Sequence, residues 1–587
     1  MQGQLRKIHI LSSLNPQAIP PSGKEIYYYC TRKLFPAEIQ LIQARGLKRY
    51  YLKSLREEQA VAFFEDFDKF WDGVIKDKRP EDRFWRNSVS SKMLEWENSV
   101  GYLALTPFTI TEDASKDAME LFILPDSRQE ACIWHAWALG QGWTVVEDNF
   151  GLGQRVVQEI ENITRSLRLV FLFFMKKWRA GPSFIQLKRK AILVITLFYS
   201  GANLKEKYED LFFGNLSEDI DRKGMDALFM GDGIDQKQKT KEGWPVNIYS
   251  LMSWFDFFAG LWSVVNYRAS FIGCSFRGVD FSSILEWHAR RFRYDFNLTA
   301  EFFYRAVGRV SKKHPFEKML FPFEGNIFER GAIQAFRRAN PSGVIDGYSH
   351  AVVYPLNLKL HLTLLEADLS PQPDRYLVCG EHAKNMLTRI RRIKVPVISV
   401  CSLRSIQRKI ERIPTLSREI LIVLDGVWST TYLLNWLCEH SKVFKGYKVM
   451  IRPHPNVNGQ RLWRQCPDYS DGLFSISHRS LNDDLREADC VLYRQSSVGV
   501  MALMNKIPII QLNIDLPLSG DPLEGIDKGR ISVTDEKGLR EALGRVPDLS
   551  RSLSLNPQEA LAQVQNYFVE PSVEMLNPFM ELYAEKV

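Results

Sequence analysis

Short apolar runs rich in β-branched residues recur along the second half of the chain, at Val395 to Val400, Ile420 to Leu424, Lys448 to Ile451, Asp489 to Tyr493 and Ile507 to Leu512. Stretches with helical spacing, such as Thr430 to Ser441, separate them. Alternation of this kind predicts an α/β fold with a doubly wound parallel sheet. Upstream, Ala191 to Leu197 is a continuous apolar run followed by Ser200-Gly201-Ala202-Asn203, the form of a buried parallel strand entering a loop. Further βα units are expected at Met319 to Arg338 and at Gly343 to Leu358. The first 185 residues are less regular. Ile8 to Leu11 reads as a strand and Pro36 to Arg45 as a helix. Ala60 to Trp71, with Phe63, Phe64, Phe67, Phe70 and Trp71 at helical spacing, reads as an amphipathic helix. Tryptophans at 85, 96, 134, 137, 143 and 178 point to a compact mixed or helical unit.

At 587 residues the chain exceeds one core. The pattern divides it into an N-terminal accessory domain (1–185), two Rossmann-like domains (186–390 and 391–555) and closing helices (556–587). Apolar content of 45% and charged content of 25% are those of a folded globular protein. Lys and Arg exceed Asp and Glu by 77 − 69 = 8, which suits an anionic partner. The basic residues are dispersed and not interleaved with aromatics on one helix, so no nucleic-acid partner is expected. The eight cysteines are scattered without a Cys-x-x-Cys pair. That argues against a zinc site or a disulfide framework and for reduced thiols in the cytoplasm. The start of the sequence has no signal-peptide pattern, and no apolar run reaches the roughly 18 to 20 residues of a bilayer span. Leu167 to Met175 and Phe255 to Val265 are core-sized. Lys176, Lys177, Arg179, Lys188, Arg189 and Lys190 follow the first of these. It reads either as a buried helix with a solvated basic end or as a peripheral contact with an anionic membrane face.

The candidate chemistry gathers at strand ends. Prolines stop the Lys448 to Ile451 run at Arg452-Pro453-His454-Pro455. About forty residues on, Tyr493-Arg494-Gln495-Ser496-Ser497 leads into a short helix. Backbone N–H groups, two hydroxyls and a helix dipole at one point suit a phosphate. If the two strands are parallel and share a sheet, His454 faces the same anion as Ser496 and Ser497. Arg452 is expected to contact the phosphate or a sugar carboxylate, or else to be solvated. Asp425-Gly426-Val427-Trp428-Ser429-Thr430 also follows a strand and opens a helix, so Asp425, Gly426 and Ser429 are donor-binding candidates, with helix capping or turn formation as the competing reading. Asp66-Phe67-Asp68 sits inside a helical pattern and reads as structural. Phosphate-loop, zinc-protease and serine-hydrolase motifs are absent.

With His454-Pro455 and Ser496-Ser497 in this context, the chain resembles bacterial GT-B transferases that use CMP-activated acidic sugars, the sialyltransferases and Kdo-type transferases of surface polysaccharides. Tyr208 to Leu216 and the Gly347-Tyr348-Ser349-His350 run extend the likeness to surface-carbohydrate proteins more widely. The resemblance spans about residues 190 to 515. It implies two Rossmann-like domains facing a cleft, with a C-terminal helix crossing back to the first. The implied reaction is inverting and needs neither metal nor other cofactor. It moves a sugar such as Kdo or sialic acid to a lipid-linked glycan of capsule or lipopolysaccharide, at the inner face of the cytoplasmic membrane. His454 would stabilise the leaving phosphate.

For the base, Glu324 follows an apolar run among aromatics that would raise its pKa, and Glu329 reads as a helix-start residue. Asp346 and His350 form the second candidate segment. Related sialyltransferases place the base in an acidic-acidic-Gly motif, whereas this chain has Glu324-Gly325 and Asp346-Gly347 without the first acid. Two other readings share the fold: a transferase of glycerol or polyol phosphate from a CDP-linked donor, and a non-catalytic GT-B shell that binds glycan.

Overall fold

The computed structural model describes residues 7–11, 26–30, 36–52, 54–87, 100–112, 120–125, 127–147, 152–180, 185, 187, 189–197, 209–232, 245–354, 358–390, 393–403, 418–425, 430–454 and 473–582. They form two compact units. The first takes residues 1–178, 258–301 and 363–370, and the second the remainder.

The first unit is mixed. Its sheet contains β1 (Lys7–Ile10), β2 (Ile26–Cys30), β3 (Lys48–Arg49), β4 (Glu120–Leu124) and β5 (Thr144–Glu147), all parallel and ordered β3-β2-β4-β1-β5. Ile8, Ile10, Tyr29, Leu121, Ile123 and Trp134 form its core. The Glu57–Ile75 helix buries Phe63, Phe67, Phe70 and Trp71 at the expected spacing. Asp66 pairs with Arg277 and Lys69 on its outer side, as a structural residue would.

The second unit holds two parallel sheets. In the first, the chain lays down β6 (Ala191–Leu197), β7 (Asp226–Asp232) and β8 (Val246–Asn247) side by side. It then contributes residues 258–301 to the first unit, where β9 (Ser275–Phe276) and β10 (Val279–Asp280) make a small antiparallel pair. On returning, it places β11 (Lys318–Pro322) against the free edge of β6, followed outward by β12 (Val344–Ser349), β13 (Arg375–Val378) and β14 (Val397–Ser399). The order is β14-β13-β12-β11-β6-β7-β8. The second sheet repeats this plan. β15 (Glu419–Val423), β16 (Lys448–Arg452) and β17 (Phe474–Ile476) run one way, and β18 (Cys490–Tyr493), β19 (Ile509–Leu512) and β20 (Arg530–Val533) start again on the other side of β15. In both sheets the order of strand addition therefore reverses once, between β6 and β11 and between β15 and β18. Those are the Rossmann-type switch points, where ligands of open α/β sheets bind beyond the strand carboxyl ends.

One expectation is corrected. The Val395 to Val400 run does not open the second sheet. Val397–Ser399 pairs with β13 as the edge of the first, since a short strand joins whichever free edge its preceding crossover reaches.

The C-terminal segment ties the two sheets. Tyr567 and Phe568 pack with Val491, Val500 and Ile509 in the core of the second sheet, and Cys379 of the first joins them. The Val573–Met580 helix then returns to the first sheet, where Phe579 and Met580 share a core with Ile192, Val194 and Tyr348. At the crossing, the Val569 N–H donates to the Cys379 carbonyl and the Ser402 N–H to the Val569 carbonyl, both at 2.8 Å. Gly380 is required here: a Cβ would stand 2.2 Å from the Asn566 carbonyl oxygen. Two Rossmann-like sheets with a C-terminal helix recrossing to the first constitute a GT-B-like architecture.

Candidate active site

Glu324 emerges directly after β11, beside the first switch point. Gly325 has φ +76°, a left-handed turn that lets the chain enter the Ile327–Ala339 helix at once. Glu329 caps that start: its carboxylate accepts the N–H groups of Glu324 and Asn326 at 3.0 Å and of Gly325 at 3.2 Å. The helix-start reading of Glu329 describes what it does. Glu324 is thereby left to other work. Its Oε2 accepts from the Asn326 amide at 3.1 Å, and its Oε1 lies 3.2 Å from His350 Nε2.

His350 stands just beyond β12, the neighbour of β11. Its ring is buried, while the Glu324 side chain is 29% exposed, so the carboxylate is the member of the pair that reaches solvent. The ring edge meets Phe212, with centroids 4.4 Å apart. Asp210 fixes Phe212 by accepting the N–H groups of Phe212 and Phe213 at 2.8 and 2.9 Å. The Asp210–Gly214 turn noted in the sequence thus forms one wall of the Glu324–His350 pair. His350 Nδ1 meets no hydrogen-bond partner among the described residues. With Nε2–H donated to the carboxylate, Nδ1 would carry a lone pair able to accept.

Asp346 lies elsewhere. The Gly347-Tyr348-Ser349 segment is the end of strand β12, and Asp346 is mid-strand with no exposure. Arg375 holds it through Nε at 2.9 Å and Nη2 at 3.2 Å, and Lys318 Nζ lies 2.6 Å away. Lys318 also donates to the carbonyls of Pro578 and Glu581 at 2.6 and 3.0 Å. Burial lowers the Lys318 pKa, against the attraction of Asp346. This cluster anchors the returning C-terminal helix, and Asp346 has no approach to a substrate.

At the second sheet, Asp425 lies two residues past β15 and Arg494 directly follows β18, the two strands flanking the switch point. Arg494 Nε donates to Asp425 Oδ2 at 2.7 Å, with both side chains buried. The Arg494 carbonyl accepts from Gln511 Nε2 on β19 at 3.3 Å. Ser496 and Ser497 follow. Ser496 Oγ accepts the Val498 N–H at 3.2 Å, whereas the Ser497 hydroxyl makes no capping bond to the Val498–Met504 helix. Gly499 lets that helix press on the Tyr493 ring, which a Cβ would meet at 2.8 Å. The Tyr493 hydroxyl in turn donates to Asp521 at 2.7 Å.

His454 stands two residues past β16, half-buried. β16 and β18 both pair with β15, so His454 and Ser496 end next-nearest strands, roughly 10 Å apart in the sheet direction, with Asp425 between them. Facing one anion from both sides requires the β15 turn to close the gap. Gly426 and Ser429 of that turn lie outside the described residues, as does Pro455. Arg452 turns aside: its Nη1 donates to Asp484 Oδ2 at 2.6 Å and to the Arg479 carbonyl at 2.9 Å. Asp484 is fully buried and also accepts from Ser477 and Arg479. Arg452 thus belongs to an ion-pair network at the β16–β17 edge.

The sequence alone gives Arg494 no assigned role. A lone basic residue after a strand carries no local mark, and its partner is 69 positions away. Lys318 and Arg375 were missed for the same reason. Among the described residues no group of His, Cys, Asp and Glu has the arrangement of a metal site, and no helix is long and apolar enough to cross a membrane.

No protein-family profile matches the sequence, and no curated protein is detectably similar to it. Solved structures with a similar fold include the glycotransferase of kitacinnamycin, at 11% identity over 68% of this chain and 100% of that one, with a TM-score of 0.40. They include MurG of Acinetobacter baumannii, at 11% identity, 67% and 97% coverage and a TM-score of 0.37. A UDP-N-acetylglucosamine 2-epimerase from Rickettsia bellii aligns at 13% identity, 64% and 98% coverage and a TM-score of 0.34. The architecture assigned above rests on strand order and the C-terminal crossing, and these likenesses add nothing to it.

Proposed function

We propose that this protein is an inverting, metal-independent glycosyltransferase of bacterial surface-polysaccharide synthesis, moving an acidic sugar from a CMP-linked donor to a lipid-linked glycan. The observation that carries this reading is the chemistry at the two switch points. One has a partly exposed carboxylate braced by a buried histidine; the other has a buried ion pair flanked by a histidine and a serine turn. A sugar transfer by direct displacement needs those two kinds of group. Glu324 takes the proton from the acceptor hydroxyl, and His350 holds the carboxylate in place. His454, the Ser496 and Ser497 hydroxyls and the amides of the following turn meet the charge that develops on the leaving phosphate. The Asp425–Arg494 pair fixes the two strand ends from which that phosphate site is built. Closing the two edges on the substrates would exclude water and favour transfer over hydrolysis.

A thermal-shift titration with CMP, CDP, UDP and GDP, each with and without a divalent metal, tests the donor assignment. Stabilisation by CMP without metal, lost in His454→Ala, supports it. A preference for CDP points to polyol-phosphate transfer, and UDP or GDP preference overturns the donor while keeping the reaction class. Stabilisation by none of them favours a non-catalytic shell.

A further inference from the structure

The Leu152–Arg179 helix is 28 residues long and carries a run of large apolar side chains turned to solvent. Ile160 and Ile163 are 56% exposed, Leu167 65%, Phe171 61% and Trp178 69%. At 100° per residue these five positions and Phe174 fall within an arc of about 80°, a stripe roughly 27 Å long. The Phe174 and Trp178 rings stack at 6.2 Å and close its C-terminal end. Other positions secure the helix: Phe173 and Lys177 are buried off the stripe, and Arg165 is paired with Asp295 at 2.8 Å. The stripe is therefore not the face that attaches the helix to its own unit.

Charge distinguishes the candidate occupants. Between Thr164 and Arg179 there are five basic residues and no acidic one. Arg168, Lys176 and Arg179 are exposed, and Arg168 and Arg179 border one margin of the stripe on the helical projection. Glu159 and Glu161 flank only the N-terminal end of the stripe in the sequence, and in an antiparallel second copy of the same face the central Arg168 residues would come together without an acid between them. An anionic bilayer supplies both an apolar phase and the opposite charge, and a terminal tryptophan beside lysine and arginine suits its headgroup layer.

We propose that this helix lies in the plane of an anionic membrane surface, with the Ile160–Trp178 stripe entering the acyl boundary and Arg168, Lys176 and Arg179 meeting lipid phosphates. The inference is independent of the donor and of any catalysis. If the transferase reading also holds, the helix brings the protein to the phase that contains a lipid-linked acceptor.

Flotation of the full-length protein with phosphatidylcholine vesicles, with and without phosphatidylglycerol, tests it. Wild type is expected to float with the phosphatidylglycerol vesicles and to be released by salt well above physiological strength. The double variant L167D/F171D is expected to bind more weakly by on the order of tenfold or more. A charge variant, R168E/K176E/R179E, is expected to lose the preference for phosphatidylglycerol. Both sets of substitutions are at exposed positions, and unchanged thermal unfolding shows that the fold is intact. Failure of wild type to float, or flotation of L167D/F171D equal to wild type, overturns the proposal. So does a stable dimer in sedimentation that L167D/F171D dissociates while vesicle binding is absent, which would make the stripe a contact between copies.

Discussion

Arg494 donates to Asp425 at 2.7 Å across the switch point of the second sheet, and both side chains are almost fully buried. Two buried charges are expensive to desolvate, and their mutual attraction offsets that cost only while both are present. Arg494→Met therefore leaves a buried carboxylate without its guanidinium and is expected to lower the unfolding free energy by about 3–5 kcal/mol. The double variant D425N/R494M removes both charges and should recover much of that loss. Urea unfolding of Arg494→Met, Asp425→Asn, the double variant and wild type measures both effects. Full additivity of the two single changes would show that the pair does not couple the strand ends.

The Asp346 cluster makes a separate prediction. Asp346 neutralises Lys318 and Arg375, both of which also hold carbonyls of the returning C-terminal helix. Asp346→Asn is expected to destabilise by about 3–5 kcal/mol. It should also increase proteolysis within residues 573–582. Activity at a temperature where the variant remains folded should be close to wild type, because the side chain has no route to a substrate. Loss of turnover without loss of stability would return Asp346 to the list of catalytic candidates.

Glu324→Gln preserves the size of the side chain and keeps an oxygen to accept from Asn326, its amide donating to His350 Nε2 once the imidazole proton moves to Nδ1, but removes the base. Donor turnover should fall by roughly 10²–10⁴-fold, with thermal stability and nucleotide affinity unchanged. His350→Gln should fall less, since it loosens the carboxylate without removing it. Steady-state kinetics of the three proteins decide the order.

His382 predicts an acid limb of stability. Burial lowers its pKa to about 4, against a hydrogen bond to the Val353 backbone that raises it. The unfolded chain takes up this proton near pH 6.5, so below that value the unfolded state is favoured. The contribution is level above about pH 6.5, worsens as pH falls toward 4, and is level again below it. Buried His288, lowered to about 3, acts in the same direction. His382 stacks on Tyr567 with centroids 3.8 Å apart, so His382→Phe keeps the stack and should flatten this limb. Urea midpoints at pH 7 and pH 5 test it.

The second unit was legible where burial leaves a strong local mark. Ala191–Leu197 is an almost continuous apolar strand because both faces of a parallel sheet are covered, and Val449–Ile451 and Ile509–Ile510 show the same apolar run in shorter form. Glu329 could be read as a helix-start residue because its capping partners lie within five positions. The sheet of the first unit was largely hidden. Lys48–Arg49 is two residues long, and Ile26–Cys30 gains its strand character from pairing with Glu120–Leu124 almost a hundred positions later. The same distance effect hid Arg494, Lys318 and Arg375. Arg452 and Asp346 looked available because sequence shows a charge but not the buried partner that occupies it.

The two sheets divide the labour of donor and acceptor, and CMP binding by isothermal titration separates their roles. Wild type, S496A/S497A and Glu324→Gln are compared without metal. CMP is expected to bind wild type and Glu324→Gln equally and S496A/S497A at least about tenfold more weakly, through loss of contacts to a charged phosphate. Equal CMP affinity for wild type and S496A/S497A, or loss of binding in Glu324→Gln alone, would place the nucleotide away from the second switch point and overturn this division.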